Sequence, residues 1–267
     1  MPELPEVETI RRELEPAIVG RELGEAWAFL HPKFVPALEA AGTTVVGVDR
    51  RGKYLLLGLD DERELVVHLG MTGSLQILPR EDAVTDPYTR AWWVLDDGTD
   101  VLAFRDVRRF GRLAVVPRGE YLGTLAVQGL DALDPALTAE DFWRALKGSR
   151  RAIKTQLLSQ RPLAGVGNIY ADEALWLAQV HPRKRTITRA QAAELLDALR
   201  HVMRASLDNG GTTLRDYRNF NGGAGENRRR LAVYGRAGQP CLRCGTELRR
   251  TLLDGRSTTW CPTCQRR

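Results

Sequence analysis

The sequence has no apolar run long enough to cross a membrane and no charged-then-apolar leader of the secretory kind. These absences argue against an integral membrane protein and favour a cytoplasmic protein without a membrane partner. Aromatic residues make up only 7% of the 267 residues, but a hydrophobic share of 43% is ample for real cores. A chain of this length can form two domains.

Lysine is absent from residues 211–267, which contain twelve arginines and four acidic residues. Because the whole chain has a formal net charge of +5, the excess positive charge lies in this tail. Arginine is favoured over lysine for forked contacts with phosphate. The distribution therefore predicts a polyanion-binding tail, against the simpler interpretation of a soluble basic tail.

Cysteine is absent from residues 1–240, and the tail contains two CxxC pairs, Cys241 with Cys244 and Cys261 with Cys264. Their spacing matches a zinc ribbon, in which four thiolates close a tetrahedral, structural Zn²⁺ site. Two disulfides or a redox pair are the alternatives, and disulfides fit a cytoplasmic chain poorly. Between the pairs, Asp-Gly predicts a two-residue hairpin turn with Arg256 just past its tip.

The first half of the chain is patterned as short β-strands, with turn signals such as Asp97-Gly98 between them. The runs are 44–48, 54–59, 65–69, 75–78, 92–95, 101–104 and 113–116. This spacing predicts a sandwich or barrel. An N-terminal helix precedes the strands, with Val7, Ile10, Leu14 and Ile18 on one face.

The second half is patterned as helices, and the change near residues 130–135 predicts a domain boundary. Thr138 and Thr188 each begin a capping-box sequence, and the second precedes a long apolar stripe. Shorter helices are predicted at 152–160 and 170–179.

The loop before the second of these shorter helices is rich in glycine, and Asn168 is expected to cap that helix. A helix N-terminus can bind an anion. From the loop alone, a phosphate site and an ordinary helix connection are equally open.

The N-terminus begins Met-Pro-Glu, which supports two interpretations. Pro2 can mark a helix start, with Glu3, Glu6 and Glu8 favouring the positive end of the helix dipole. Alternatively, removal of Met1 exposes a secondary amine whose ordinary pKa is near ~8. Such an amine can form a covalent iminium, as lysine does in Schiff-base enzymes, with Glu3 moving protons.

Several motifs occur in a specific order along the whole chain, although each is weak alone. They are Pro2–Glu8 (PELPEVE), Arg51–Lys53 (RGK), His68–Gly73 (HLGMTG), Arg108–Gly111 (RRFG), Gly165–Tyr170 (GVGNIY), Val233–Arg236 (VYGR) and the zinc ribbon. Together they resemble the formamidopyrimidine-DNA glycosylases, bacterial enzymes that remove oxidised purines such as 8-oxoguanine.

The resemblance implies an α+β fold of three parts, with DNA in the cleft between the halves. They are an N-terminal catalytic β-sandwich flanked by helices (1–130), a helix-two-turn-helix DNA-binding domain (131–225) and a zinc finger on a β-hairpin (226–267). It also implies one structural Zn²⁺. The expected partner is duplex DNA containing oxidised bases or abasic sites, bound by a monomer.

The family's catalytic roles map onto four residues. Pro2 resembles the nucleophile that attacks C1′ of the damaged nucleoside, and Glu3 resembles the acid/base that assists sugar opening. Lys53 resembles the lysine that holds phosphate and serves β-elimination. Arg256 resembles the zinc-finger arginine that grips phosphate and is linked to δ-elimination.

Four further residues resemble DNA contacts. Asn168 matches the loop asparagine at the lesion phosphates. Met71, Arg108 and Phe110 match the wedge that fills the gap left by the everted base, with Arg108 facing the orphaned cytosine. By residue type alone, Met71 and Phe110 would instead be core residues.

The sequence departs from the family pattern at three places that bear on DNA. Arg90 stands where many members have a histidine, so a phosphate contact is predicted to persist. Arg150, with Arg151, is predicted to replace a lysine often seen at Ser149. The segment 220–230, which corresponds to the loop that closes over the lesion, lacks the usual aromatic pair.

Two other functions remain open from the sequence. An endonuclease VIII-like glycosylase for oxidised pyrimidines is disfavoured by Leu4, where that group has glycine. A non-enzymatic zinc-ribbon DNA-binding protein would explain the tail but not the combination of Pro2, Glu3 and Lys53.

Overall fold

The computed structural model describes residues 1–96, 98–215 and 217–266. The chain divides into two compact units, Met1–Ala126 with Asn209–Glu226, and Val127–Asp208 with Asn227–Arg267. The three-part division at residues 130 and 225 stays a prediction.

The first unit starts with helix α1 (Leu4–Ile18), whose predicted face is buried at all four positions. Eight strands follow. They are β1 (Glu22–Ala28), β2 (Thr43–Arg51), β3 (Tyr54–Leu59), β4 (Arg63–His68), β5 (Gly73–Pro79), β6 (Thr89–Leu95), β7 (Asp100–Asp106) and β8 (Arg112–Pro117). A 3₁₀ helix (Val35–Ala40) and two short helices, α2 (Arg80–Thr85) and α3 (Gly123–Val127), complete this part.

The strands form one antiparallel sheet in the order β5-β7-β6-β1-β2-β3-β4-β8. Its two halves join only where β1 meets β2, through the pairs Glu22–Thr44 and Leu23–Thr43. A single buried cluster contains residues from both halves and from α1, including Trp93 and Leu57. The sheet thus folds over one core, as the predicted sandwich requires.

All seven predicted strands are confirmed, but β1 was not predicted. Its sequence, ELGEAWA, is rich in glutamate, alanine and glycine, which have low strand propensity. Only Leu23 in this strand is fully buried. Pairing with β6 and β2 stabilises it, and that pairing is not visible in a local pattern. Asp97 of the predicted Asp97-Gly98 turn lies outside the described residues.

The second unit contains helices α4 (Ala139–Lys147), α5 (Ile153–Leu158), α6 (Asn168–Leu177) and α7 (Arg189–Leu207), then a 3₁₀ helix (Asn227–Arg230) and strands β9 (Arg249–Leu253) and β10 (Arg256–Trp260). Both predicted caps are confirmed, because the hydroxyls of Thr138 and Thr188 accept the amides of Asp141 and Gln191 at 3.1 and 3.2 Å.

The predicted cap at Asn168 is wrong. Gly167 is the N-cap of α6, and Asn168 is the first helical residue. The predicted hairpin turn is confirmed: β9 and β10 are joined by Asp254 and Gly255, both with left-handed backbone angles (φ 47° and 72°). Among the described residues, no helix combines the length and apolar character needed to span a membrane.

Candidate functional site

The start of the chain is held in place by the first turn of α1. Pro2 is buried, and Glu3 is only 2% exposed at the N-cap position. The backbone amide of Glu3 donates to the Glu6 carboxylate at 2.8 Å, and the other oxygen of Glu6 accepts the amide of Thr212 at 2.7 Å. The predicted capping by acidic residues is therefore confirmed for Glu3 and Glu6, whereas Pro2 precedes the N-cap and Pro5 is the proline of the first turn.

Lys53 lies in the tight turn between β2 and β3, where Gly52 has a left-handed φ of 60°. Lys53 is 6% exposed. Arg50 donates to the carbonyl of Gly52 at 3.0 Å and to Glu8 of α1 at 3.0 Å. The helix that begins near Pro2 is thus tied directly to the turn that carries Lys53.

Glu8 of α1 is the carboxylate that accepts the hydrogen bond from Arg50. Burial alone would raise its pKa, but hydrogen bonds from Arg11, Arg12 and Arg50 outweigh burial and lower the pKa to about 2. Glu8 is therefore ionised throughout the neutral range, and the connection between α1 and the Lys53 turn stays intact.

His68 ends strand β4 and faces Tyr54 across the strand pair, with ring centroids 4.7 Å apart. Burial, then the positive charges of Lys53 and Arg112, lower its pKa to about 4. At neutral pH the ring is uncharged and can accept or donate one hydrogen bond near Lys53. The sequence indicated His68 only as part of the HLGMTG motif and assigned it no role.

The predicted wedge residues lie on two loops of the first unit. Met71 is 36% exposed and Phe110 is 48% exposed, so the expectation that they are core residues is wrong. The guanidinium of Arg108 stacks over the Phe110 ring at 4.8 Å. Large apolar side chains held in solvent, with an arginine beside them, are suited to insertion between bases.

Asp106 connects these two loops. It is fully buried, and its carboxylate accepts the Thr72 hydroxyl, the Arg108 amide at 3.2 Å and the Gly111 amide at 2.6 Å. Gly70 allows the close approach, because a β-carbon there would lie 2.5 Å from the Gly111 nitrogen. One carboxylate therefore fixes the positions of Met71, Arg108 and Phe110 together.

Arg90, for which a phosphate contact was predicted, is engaged by backbone groups of its own unit. It is buried, and its guanidinium donates to the carbonyls of Asp106, Pro87 and Thr89 at 2.9–3.2 Å. These bonds favour a role in shaping the loop before Arg108. A contact with DNA at Arg90 stays a prediction.

The segment 220–230 divides between the units. Phe220 packs into the core of the first unit, and Asn219 donates to Glu13 of α1 at 3.0 Å. The correspondence of this segment to the loop that closes over the lesion stays a prediction.

In the second unit, Asn168 supports the hairpin instead of capping its helix. Its side-chain amide donates to the Ser257 carbonyl at 3.0 Å and the Ser257 hydroxyl at 3.3 Å. Arg256, one residue earlier, is exposed at the start of β10. Asn168 therefore places the turn that carries Arg256. Arg150, just before α5, is also exposed.

A buried ion pair anchors the same hairpin to α6. Lys154 and Asp172 are almost fully buried and lie 2.6 Å apart. Lys154 also donates to the Ser257 carbonyl and the Thr258 hydroxyl, and Asp172 accepts the Thr259 amide at 2.9 Å. Burial raises the pKa of Asp172 to about 6 in spite of Lys154, and because this value is still below neutral pH the Asp172 carboxylate is mostly ionised there.

Two further residues of α6 contact other segments of the same unit. The Glu173 carboxylate accepts the amides of Ala232, Val233 and Tyr234 at 2.7–2.9 Å. Trp176 donates to the sulfur of Cys241 at 3.3 Å. One face of α6 therefore orients the hairpin and the ribbon together.

The sulfur atoms of Cys241, Cys244, Cys261 and Cys264 all lie within 4.8 Å of one another. Specific separations are 4.0 Å for Cys241–Cys264 and 3.5 Å for Cys244–Cys261. Thiolates about 2.3 Å from a tetrahedral Zn²⁺ stand about 3.8 Å apart, so the cluster fits that ion. With four protein ligands, zinc here supplies structure and no open coordination position.

Comparison with known proteins agrees with this geometry along the whole chain. Residues 1–113 match the formamidopyrimidine-DNA glycosylase N-terminal domain, 128–218 match the H2TH domain of these enzymes, and 238–267 match the zinc finger found in FPG and IleRS. The chain belongs to the formamidopyrimidine-DNA glycosylase family.

Individual members of the family are similar over their full length. The formamidopyrimidine-DNA glycosylase of Herpetosiphon aurantiacus is 43% identical, covering 99% of this chain and 100% of the relative. The crystal structure of the MutM (Fpg) protein from Thermus thermophilus superposes with a TM-score of 0.91 at 44% identity, over 99% and 98% of the two chains. The Lactococcus lactis enzyme bound to DNA containing an AP site has a TM-score of 0.88 at 33% identity, over 99% and 100%.

Proposed function

We propose that this protein is a bifunctional DNA glycosylase and AP lyase that excises oxidised purines, including 8-oxoguanine and formamidopyrimidines, from duplex DNA. The observation that carries the proposal is the buried Pro2-Glu3 pair at the start of α1, tied through Glu8 and Arg50 to the Lys53 turn. Family membership over the full chain supports it.

The reaction begins with extrusion of the damaged nucleotide, since its sugar carbon is inaccessible inside a duplex. Unstacking costs a few kcal/mol. Insertion of Met71, Arg108 and Phe110 into the gap offsets part of that cost, with Arg108 facing the orphaned base.

The Pro2 nitrogen, free after loss of Met1, then forms a bond to C1′ as the bond from C1′ to the base breaks. Glu3 protonates the opening sugar and moves the protons that follow. The product is an iminium between Pro2 and the sugar, which acidifies the C2′ proton. Removal of that proton expels the 3′ phosphate by β-elimination, and a second, δ-elimination expels the 5′ phosphate.

The remaining site residues hold the strand during these steps. Lys53 pairs with a phosphate beside the lesion and assists β-elimination. Asn168 and Arg256 bind the flanking phosphates, and Arg256 also assists δ-elimination. Zn²⁺ keeps the ribbon that carries Arg256 folded. We place this activity in the cytoplasm, as a monomer acting on damaged DNA.

Borohydride trapping on duplex containing 8-oxoguanine tests the chemistry. We expect a covalent enzyme–DNA adduct whose peptide link maps to Pro2, and an intact mass of active protein without Met1. Full activity from a homogeneous preparation that retains Met1 would exclude Pro2 as the nucleophile. Absence of any adduct would favour a DNA-binding protein without catalysis.

A panel of lesions against the four opposite bases tests the substrate class. We expect faster excision of oxidised purines than of oxidised pyrimidines. The reverse order would assign the chain to the endonuclease VIII-like activity instead.

A further inference from the structure

A cavity of about 420 Å³ lies within the first unit, on the face of strands β3, β4 and β8 that is turned away from the main core. Leu56 and Val66 belong to a small cluster on this face, whereas their neighbours Leu55 and Val67 belong to the main core. The volume is typical of small-molecule sites, which are roughly 300–1,000 Å³. None of the four proposed catalytic residues lines the cavity, so the proposed chemistry does not account for it.

The walls of the cavity are rich in rings. Tyr54, His68, Phe110 and Tyr121 all line it, and the rest of the lining is largely aliphatic. The Tyr54 and His68 rings are tilted by 40° with their centroids 4.7 Å apart. Rings at such positions favour a flat aromatic ligand, because offset and edge-to-face contacts add to the gain from apolar burial.

The charged side chains of the cavity are positive. They are Lys33 and Arg112, and no acidic side chain is among the described lining residues. Arg112 is exposed, and in the part of the chain that the structure describes its side chain forms neither an ion pair nor a hydrogen bond. Its guanidinium is therefore available for a forked contact with a phosphate or carboxylate. The ligand that fits this charge is an anion.

The cavity also contains neutral groups that both donate and accept hydrogen bonds. His68 is uncharged at neutral pH, since burial and the charges of Lys53 and Arg112 lower its pKa to about 4. The hydroxyls of Tyr54 and Thr124 line the same space. Groups of this kind match the ring nitrogens and exocyclic atoms of a heterocycle better than a plain hydrocarbon ring.

Two residues connect the cavity to the proposed wedge. Phe110 lines the cavity, and the guanidinium of Arg108 already covers one face of its ring at 4.8 Å. The Lys33 ammonium donates to the carbonyl of Arg109 at 2.9 Å, and the Lys33 carbonyl accepts the Leu113 amide at 2.8 Å. A ligand in the cavity and a base of DNA would therefore need the same remaining face of Phe110.

We propose that this cavity binds a small heteroaromatic anion of the nucleoside monophosphate type, and that the bound ligand competes with DNA for Phe110. The ring of the ligand packs among the aromatic walls, and its anionic group pairs with Arg112 and Lys33. Competition between two ligands is reciprocal, so each weakens the binding of the other by the same factor. Ligand binding stands by itself, whereas its effect on base eversion rests on the proposed function.

Binding of 2′-deoxyguanosine 5′-monophosphate to the full-length, zinc-loaded protein without DNA tests the site by calorimetry. We expect Arg112→Ala to weaken the affinity roughly 10- to 100-fold, as for the loss of a hydrogen bond to a charged group. Arg112→Lys should weaken it less, because the charge remains without the fork. Deoxyguanosine, which lacks the phosphate, should bind wild type and Arg112→Ala equally weakly.

A second variant tests the cavity without changing its charge. Ala114 lines the cavity and pairs with Val66 in the register of β4 and β8, so Ala114→Met places a larger side chain in the same space. We expect it to weaken binding of the nucleotide as much as Arg112→Ala does. Arg204→Ala, which removes an exposed charge of α7, should bind as wild type. Thermal unfolding verifies that each variant is folded.

The competition is measured with 2-aminopurine placed opposite an uncleavable abasic analogue in duplex DNA. Saturating nucleotide should reduce wedge insertion by wild type but not by Arg112→Ala, and inorganic phosphate at the same concentration should have no effect. The lesion duplex should in turn lower the affinity for the nucleotide by the same factor.

Absence of nucleotide binding to wild type, or binding that Arg112→Ala and Ala114→Met leave unchanged, would overturn the proposed site. Equal affinity for inorganic phosphate and for the nucleotide would also overturn it, because the rings would then contribute nothing. Wedge insertion that saturating nucleotide leaves unaltered would overturn the competition. A wild-type protein that cleaves no lesion refutes the proposed function instead, since the binding measurements contain no DNA.

Discussion

Glu3 combines a structural and a proposed chemical role at one residue. Its backbone amide is engaged by Glu6, which fixes the first turn, while its carboxylate is the group assigned to proton transfer. The two roles use different atoms, so a substitution can separate them.

We expect Glu3→Gln to slow base excision by ~10²–10⁴, the usual effect of losing a positioned acid or base. Affinity for lesion DNA should stay within a few-fold. A preformed abasic site bypasses base removal, so strand nicking there should be reduced less than excision. Single-turnover base release and nicking of abasic duplex measure the two steps, and normal excision by Glu3→Gln would exclude the assigned role.

His68 provides a prediction about stability and pH. Its pKa in the folded protein, about 4, is below the ordinary value of 6.5, so the unfolded chain takes up a proton first as the pH falls. The stability that depends on neutral His68 is complete above pH 6.5 and is lost as the pH falls toward 4. The loss is at most about 3 kcal/mol.

Urea unfolding of wild type and His68→Gln between about pH 7 and pH 4.5 tests this expectation. The variant should lose less stability across that interval, while His201→Gln, which changes an exposed histidine of α7, should behave as wild type. Parallel pH profiles for wild type and His68→Gln would contradict the burial argument.

At the scale of elements, the two wedge loops depend on the last residue of β7. We expect Asp106→Asn to lose at least one of three hydrogen bonds, because an amide presents only one acceptor oxygen where the carboxylate presents two. A lost bond to a charged group costs about 1.5–3 kcal/mol. If that free energy is lost from the everted state, the equilibrium constant for base eversion in duplex DNA should fall roughly 10- to 100-fold.

Fluorescence of 2-aminopurine opposite the lesion reports wedge insertion directly. Asp100→Asn, at the other end of β7, is the matched control and should insert normally. Unaltered insertion by Asp106→Asn would show that the loops are fixed by other contacts.

Helix α6 and the hairpin depend on the buried Lys154–Asp172 pair. We expect Asp172→Asn to destabilise the second unit by about 3–5 kcal/mol, because it leaves the Lys154 ammonium buried without a counter-charge. Replacing both residues by Met and Leu should recover much of that loss. Breaking the exposed pair with Glu140→Gln should cost less than about 1 kcal/mol.

Thermal unfolding and zinc retention measure these changes. An Asp172→Asn protein as stable as the Glu140→Gln protein would mean that the pair does not anchor the hairpin.

At the scale of the whole molecule, the first unit and the zinc ribbon are stabilised differently. The first unit has an extensive apolar core without cysteine, whereas the ribbon's buried cluster consists of Val233, Leu248, Cys241 and Cys261. Metal binding therefore supplies folding energy that the ribbon's few apolar contacts cannot replace.

We expect Cys244→Ala to lose stoichiometric zinc and DNA cleavage together while the first unit stays folded. Metal analysis, DNA binding and the β-sheet circular dichroism signal measure the three properties. Wild-type cleavage by the zinc-free variant would contradict a structural role for the site. Loss of the sheet signal would show that the units do not fold independently.

The sequence by itself determined the features that depend on local pattern or fixed spacing. Strand alternation, two helix caps, the Asp-Gly hairpin turn and the zinc-ribbon cysteines each follow from residues close together in the chain. Motif order was enough to identify the family, which the family models and the full-length similarity to its members confirm.

Only the tertiary structure decided the features that depend on distant partners. β1 exists through its pairing with β6, Asn168 bonds to Ser257 and not to its own helix, and Arg90 is buried against backbone carbonyls. Met71 and Phe110 are exposed on loops whose neighbouring residues Thr72 and Gly111 hydrogen-bond to Asp106. Residue type gives the tendency to be buried, but long-range hydrogen bonds and pairing determine where each side chain lies.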